Sequence, residues 1–315
     1  MADVAYIPGE PGRERRPLVG YAMVIAAALL FAVNGTVSKV VLSSGLSPLE
    51  LTQVRATGAF AGFALALLLT RRAALRVRLR ELPHLVIFVI AGVASVQWLY
   101  FVSIQRLPIG IALLLEYLAP IGIALYARTF LHEPVRRRIW LALALALVGL
   151  ALVVEVWSGL ALDGIGVAAA LSAAVAYAVY VLMAEHAVAR REPASLLAYG
   201  FLFAALFWAV VRPVWRFPAG RVDDDVSLLG HLSSWSAPVW LLLLFVVVGG
   251  TMITFLLVTA ALRHISATRV GIVAMLEPVA ASMVAFLWLG ESFGPAQLIG
   301  GSIVLAGIVL AQTAR

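Results

Sequence analysis

A chain of 315 residues that is 63% hydrophobic and only 12% charged, with a mean hydropathy of +1.03, has too much apolar surface to bury in a compact soluble form; soluble domains run nearer about half apolar and about a quarter charged. Lipid must be the solvent for most of it, and the lack of cysteine excludes disulfides, thiol catalysis and thiolate metal sites. The net charge of +7 is not a nucleic-acid footprint: the basic residues, all arginine except Lys39, sit in short clusters between apolar runs, where orientation signals of membrane proteins belong. The arginine bias fits a GC-rich genome better than a chemical role.

Crossing roughly 30 Å of hydrocarbon takes roughly 20 apolar residues. The sequence offers ten such runs, at about 18–42, 48–70, 83–104, 108–131, 138–157, 164–187, 194–212, 237–262, 266–289 and 293–313. Arg13, Arg15 and Arg16 precede the first run, which is longer than the apolar stretch of a signal peptide and is followed by more spans, so an uncleaved first span is predicted. Most connections are too short for a soluble domain; the exception, about 213–236, carries Asp223, Asp224 and Asp225 and the polar stretch HLSSWS.

Alternating the spans from a cytoplasmic N-terminus puts sixteen arginines on the cytoplasmic side, in clusters such as Arg71 to Arg80, Arg136 to Arg138 and Arg190 to Arg191. Only four, Arg106, Arg212, Arg216 and Arg221, fall outside, while Lys39, Arg55 and Arg128 lie within spans. That asymmetry predicts both termini in the cytoplasm and supports the count of ten, because a missed span would scramble the sorting.

The chain also repeats itself. Pro120, Glu133 and Gly149 are spaced by 13 and 16 residues, as are Pro278, Glu291 and Gly307, at a common offset of 158 that also pairs Gly92 with Gly250. FAVNGTVSK (31–39) aligns loosely with YAVYVLMAE (177–185). Five spans per half reverse the second half relative to the first. The expected fold is therefore an all-α membrane protein of ten transmembrane helices in two inverted five-helix repeats: a cytoplasmic tail 1–17, a first repeat 18–157 and a second 164–313. Inverted repeats are typical of secondary transporters, with the site near the midplane where the halves meet.

Several motifs, in order and duplicated, resemble the EamA-type family of the drug/metabolite transporter superfamily. The first half has NGTVSK (34–39), Ser47-Pro48, Arg55, QRLPIGIA (105–112), Pro120 and LHE (131–133); the second has AALRHI (260–265), Pro278, LGE (289–291) and Gly307. The resemblance covers roughly residues 18 to 313. Two positions depart from it: Phe31 stands where the family often has tryptophan, and His132 where the leucine-glycine-glutamate motif has glycine. The resemblance implies export of small metabolites such as amino acids, from the cell membrane of a prokaryote.

Ionisable groups inside spans cost several kcal/mol of desolvation unless water or a partner compensates, so they are functional candidates. At 1.5 Å per residue, Glu116 lies roughly 12 Å below the outer face, with Arg55 and Asn34 at similar depth and Lys39 shallower. Glu116 reads either as a cavity residue that binds a substrate ammonium or carries a proton, or as half of a structural ion pair with Arg55; Lys39 is expected to snorkel outward. Glu277, near the midplane, is the stronger candidate for a coupling carboxylate. Its repeat position in the first half is Ala119, and that of Glu116 in the second is Ala274, so neither glutamate is demanded by the repeat.

Pro120 and Pro278 each remove a backbone donor and should kink helices that line one central site. Tyr117, Tyr177 and Tyr180 are placed to line it too, with aromatic packing as the plainer reading. Glu133 and Glu291 read as interfacial caps, Gly149 and Gly307 as close-packing positions, and His132, His186 and His264 as interfacial residues.

No H-E-x-x-H, nucleotide-binding glycine motif or metal-ligand spacing occurs, so no enzyme, cofactor or metal is indicated. The expected function is alternating-access export of small zwitterionic or amphiphilic metabolites, most simply amino acids, with proton coupling left open. The alternatives are an organic-cation or nucleotide-sugar carrier, and a non-transporting membrane protein. The expected partners are a small-molecule substrate and the lipid bilayer. The oligomeric state is not legible.

Overall fold

A computed structural model describes residues 16–75, 95–104, 106–107, 109–130, 132, 135–153, 163–213, 216–290 and 294–313. The tail before Arg16, the first part of the expected third span, Gly92, Glu133 and Glu291 lie outside the described residues.

The described chain is helical almost throughout. Its helices are α1 (Pro17–Ser43), α2 (Pro48–Thr70), α3 (Ser95–Ile104), α4 (Ile109–Glu116), α5 (Ala119–Thr129), α6 (Arg137–Val153), α7 (Gly164–Arg190) and α8 (Pro193–Val211). They continue with α9 (Val239–Ala261), α10 (Ala267–Leu289) and α11 (Pro295–Thr313). Six of them, α1, α2, α7, α8, α9 and α10, are long and apolar enough to cross a membrane. Large apolar side chains such as Leu18, Leu69, Phe130 and Val210 stand exposed on their outer faces, a surface suited to lipid and not to water.

Local chemistry sets the boundaries. Ser47 and Glu50 form a reciprocal capping box at the start of α2: the Glu50 amide donates to Ser47 Oγ at 3.3 Å and the Ser47 amide to Glu50 Oε2 at 2.6 Å. Pro48 stands at the first helical position, where its missing N–H costs nothing. Asp163 caps α7 by accepting the Gly166 amide at 2.7 Å.

The helices pack in a definite set of pairs. α1 lies against α9 and α10, and α7 against α3, α4 and α5; α2 packs on α8, α5 on α10, and α6 on α11. The α6–α11 contact is the most extensive, and glycine makes it so. A Cβ on Gly149 would sit 2.6 Å from Gly300 O, one on Gly300 2.5 Å from Gly149 O, and one on Gly307 2.9 Å from Ala142 O. Only bare backbone allows that approach, which is how helices adhere in lipid. The roles expected for Gly149 and Gly307 are met in one interface.

The α2–α8 pair is tied at both ends. Glu50, early in α2, bonds Arg212 just past α8 (2.5 Å), and Arg71, just past α2, bonds Glu192, the residue that opens α8 (2.8 Å). The acidic connection folds instead of trailing: Asp225–Ser227 pairs antiparallel with Ser236–Pro238. Trp288 Nε1 donates to Leu228 O at 2.8 Å, and Arg221 reaches Gly45 O in the α1–α2 loop. The hairpin thus lies across the ends of α1, α9 and α10.

Candidate functional site

The two intramembrane prolines produce full interruptions, sharper than the kinks expected from sequence. A proline ring collides with the carbonyl four residues earlier and supplies no amide hydrogen. Those carbonyls belong to Glu116 and Ala274, and the helix breaks there: α4 ends at Glu116 with a turn through Tyr117–Leu118 before α5, and α10 is interrupted at Met275. The two breaks adjoin, since a Cβ on Gly271 in α10 would come 2.9 Å from Pro120 Cγ.

Polar groups gather at this junction. Tyr117, freed into the turn, donates its hydroxyl to Glu277 Oε2 at 2.8 Å. Glu116 lies within electrostatic range of Glu277 yet makes no hydrogen bond or ion pair among the described residues. Arg55, from α2, interacts electrostatically with Glu277 and with Tyr100 of α3, and its Nε donates to Thr251 Oγ1 at 3.1 Å. Glu116, Glu277 and Arg55 each keep part of their surface accessible.

Thr251 is held by an irregularity of α9. Residues Val248–Ile253 form a π-helical turn, and the hydroxyls of Thr251 and Thr254 donate to the carbonyls of Val246 (2.8 Å) and Gly249 (2.7 Å), each five residues back. Single π turns inside α-helices recur at functional sites because they re-aim side chains. Asn34 is buried against this turn: a Cβ on Gly250 would collide with its side chain, and its Oδ1 has no hydrogen-bond partner among the described residues. The rings of Tyr177 and Tyr180 lie tilted to each other with centroids 6.2 Å apart; Tyr180 packs edge-on to Phe255 and its hydroxyl meets Thr259 Oγ1 at 3.5 Å.

Of the two readings of Glu116, the ion pair with Arg55 is not formed: Arg55 bonds Thr251 and has Glu277 as an acidic neighbour. Asn34 is buried, against Gly250. Lys39 is exposed near the end of α1, as snorkelling requires. Sequence reasoning missed Tyr100, Thr251 and Thr259. Thr251 comes directly after a Gly-Gly pair inside an apolar span, and that pair was the one signal available.

A multi-pass membrane protein with interrupted helices meeting at buried charges is the architecture of a small-molecule transporter. The profile of the EamA-like transporter family matches residues 18–155 and 164–313, so the chain belongs to that family, which consists of transporters and not enzymes. An uncharacterized transporter of Archaeoglobus fulgidus is 28% identical over 93% of this chain and 96% of its own. The threonine/homoserine exporter RhtA of Escherichia coli K12 is 29% identical over 71% of this chain and 70% of its own. A probable terminal-alkyne amino-acid exporter of Streptantibioticus cattleyicolor is 29% identical over 75% and 74%. A solved crystal structure superposes with a TM-score of 0.75 at 18% identity, covering 93% of this chain and 96% of that one, and so shares the fold.

Proposed function

We propose that this protein is a secondary exporter of amino acids or closely related zwitterions, in the cell membrane of a prokaryote with both termini in the cytoplasm. Its ten spans form two inverted five-helix repeats, 18–157 and 164–313. The pattern of the main helix pairs supports this: exchanging α1 with α7, α2 with α8, α3 with α9, α4–α5 with α10 and α6 with α11 maps α1–α9 onto α7–α3 and α1–α10 onto α7–α4/α5, and leaves α2–α8, α5–α10 and α6–α11 in place. The helix breaks at Tyr117–Leu118 and Met275 also obey the 158-residue offset.

The observation that carries the functional reading is the meeting of Arg55, Glu116 and Glu277 at the junction of two interrupted helices. A guanidinium beside one carboxylate, Glu277, with a second carboxylate, Glu116, next to that one, offers a group to each pole of an α-amino acid: its carboxylate to Arg55 and its ammonium to Glu116. Glu277, held by Tyr117, is the surplus acidic group, and it exchanges a proton during transport. Tyr177 and Tyr180 wall the site. Amino-acid export by two of the relatives agrees with this substrate class.

The test is counterflow of labelled threonine, homoserine and other amino acids into liposomes loaded with the unlabelled compound. Counterflow needs no ion gradient, so uptake establishes alternating access and names the substrate. Absence of uptake across the panel contradicts the amino-acid reading.

A further inference from the structure

Arg55 is fixed through its inner nitrogen and not through the end of its fork. Its Nε donates to Thr251 Oγ1, and the Thr251 hydroxyl donates onward to Val246 O. That proton is thereby committed to the carbonyl, so the oxygen offers its lone pairs to the guanidinium alone. Thr251 is fully buried. Its direction depends on the π turn Val248–Ile253, since one extra residue rotates the rest of the helix by about 100° relative to an unbroken α-helix. Asn34 packs directly against that turn at Gly250.

The consequence falls on the other end of Arg55. Its terminal Nη nitrogens make no hydrogen bond or ion pair among the described residues, although Glu277 acts on the guanidinium electrostatically. The carboxylate and the guanidinium are thus farther apart than a contact ion pair. A guanidinium held at Nε presents its two Nη donors as a planar fork, the geometry that recognises a carboxylate bidentately.

We propose that Thr251 is a positioning residue that sets the carboxylate specificity of the transport site, by holding Arg55 at Nε so that its terminal fork faces the substrate. The inference rests on the amino-acid export reading above. Thr251 does not touch the substrate; it determines whether a free carboxylate is required.

The experiment is threonine counterflow in liposomes, with threonine methyl ester, which keeps the ammonium but lacks the anionic carboxylate, as competitor. In the wild type the ester should compete at least about tenfold more weakly than threonine. Thr251→Val should raise KM for threonine about tenfold with the maximal rate nearly unchanged, and bring acid and ester to near-equal competition. Thr251→Ser, which keeps the hydroxyl, should restore the wild-type gap. Arg55→Lys, which keeps the charge but not the fork, should lose it, and serves should Thr251→Val fold poorly. Ester competing as well as acid in the wild type would overturn the inference, as would an unchanged gap in Thr251→Val or a loss that serine does not rescue. Wild-type protein that takes up no amino acid at all contradicts the export reading itself, and this inference falls with it.

Discussion

Tyr117 and Glu277 are joined by a hydrogen bond of 2.8 Å between residues 160 positions apart, each beside a helix interruption. A phenol donating to a carboxylate away from bulk water is worth about 1.5–3 kcal/mol, and leaving the carboxylate without that donor costs in the same range. Tyr117→Phe should therefore leave the fold intact and lower the transport rate by about tenfold or more. Wild-type flux in that variant would mean the bond serves packing alone.

The ion pairs of α2 and α8 differ in worth. Glu50 is buried and Arg212 half-buried, whereas Arg71 is mostly exposed. Arg212→Met should lower the thermal midpoint in detergent markedly, because it strands a buried carboxylate, and Glu50→Gln in the same chain should recover part of the loss. Arg71→Met should cost about 0–1 kcal/mol, near the detection limit of a thermal-shift assay.

Backbone contact between α6 and α11 leaves no volume for a side chain. Gly149→Leu should block that approach and abolish recovery of folded protein, read as loss of the monodisperse peak in size-exclusion chromatography. Gly164→Ala, where a Cβ meets nothing within 4 Å, should elute as wild type.

His132 adopts φ 54°, in the left-handed region, and its repeat partner Gly290 has φ 73°. The glycine of the leucine-glycine-glutamate motif is thus a conformational requirement that His132 meets under strain. His132→Gly should stabilise the protein by about 1 kcal/mol, seen as a raised thermal midpoint with unchanged transport.

Much of this was legible beforehand, for physical reasons. Lipid forces long apolar runs, so hydropathy marked an all-helical membrane protein, six of whose described helices are long and apolar enough to span, and the offset of 158 between Pro120 and Pro278 marked where both helices break. Gly149 and Gly307 announced a close interface because no other residue permits one. What stayed hidden depends on how the helices are brought together. Similar expected depth offered Arg55 as one candidate partner of Glu116, but pairing in a bundle is decided by which faces meet. Tyr100 and Thr251 are uncharged residues scattered among other weakly polar ones in apolar runs, with no period to set them apart. The π turn of α9 has no sequence signature beyond Gly249-Gly250, and without it Thr251 points elsewhere.

The central claim is that Glu277 carries the transported proton while Arg55 and Glu116 bind the substrate, and a paired flux measurement tests it most directly. Amino-acid counterflow and pH-gradient-driven flux are recorded on the same reconstituted preparations of wild type, Glu277→Gln and Glu116→Gln. The prediction is that Glu277→Gln keeps counterflow and loses gradient-driven flux, while Glu116→Gln loses both. Gradient-driven flux surviving in Glu277→Gln would contradict the account.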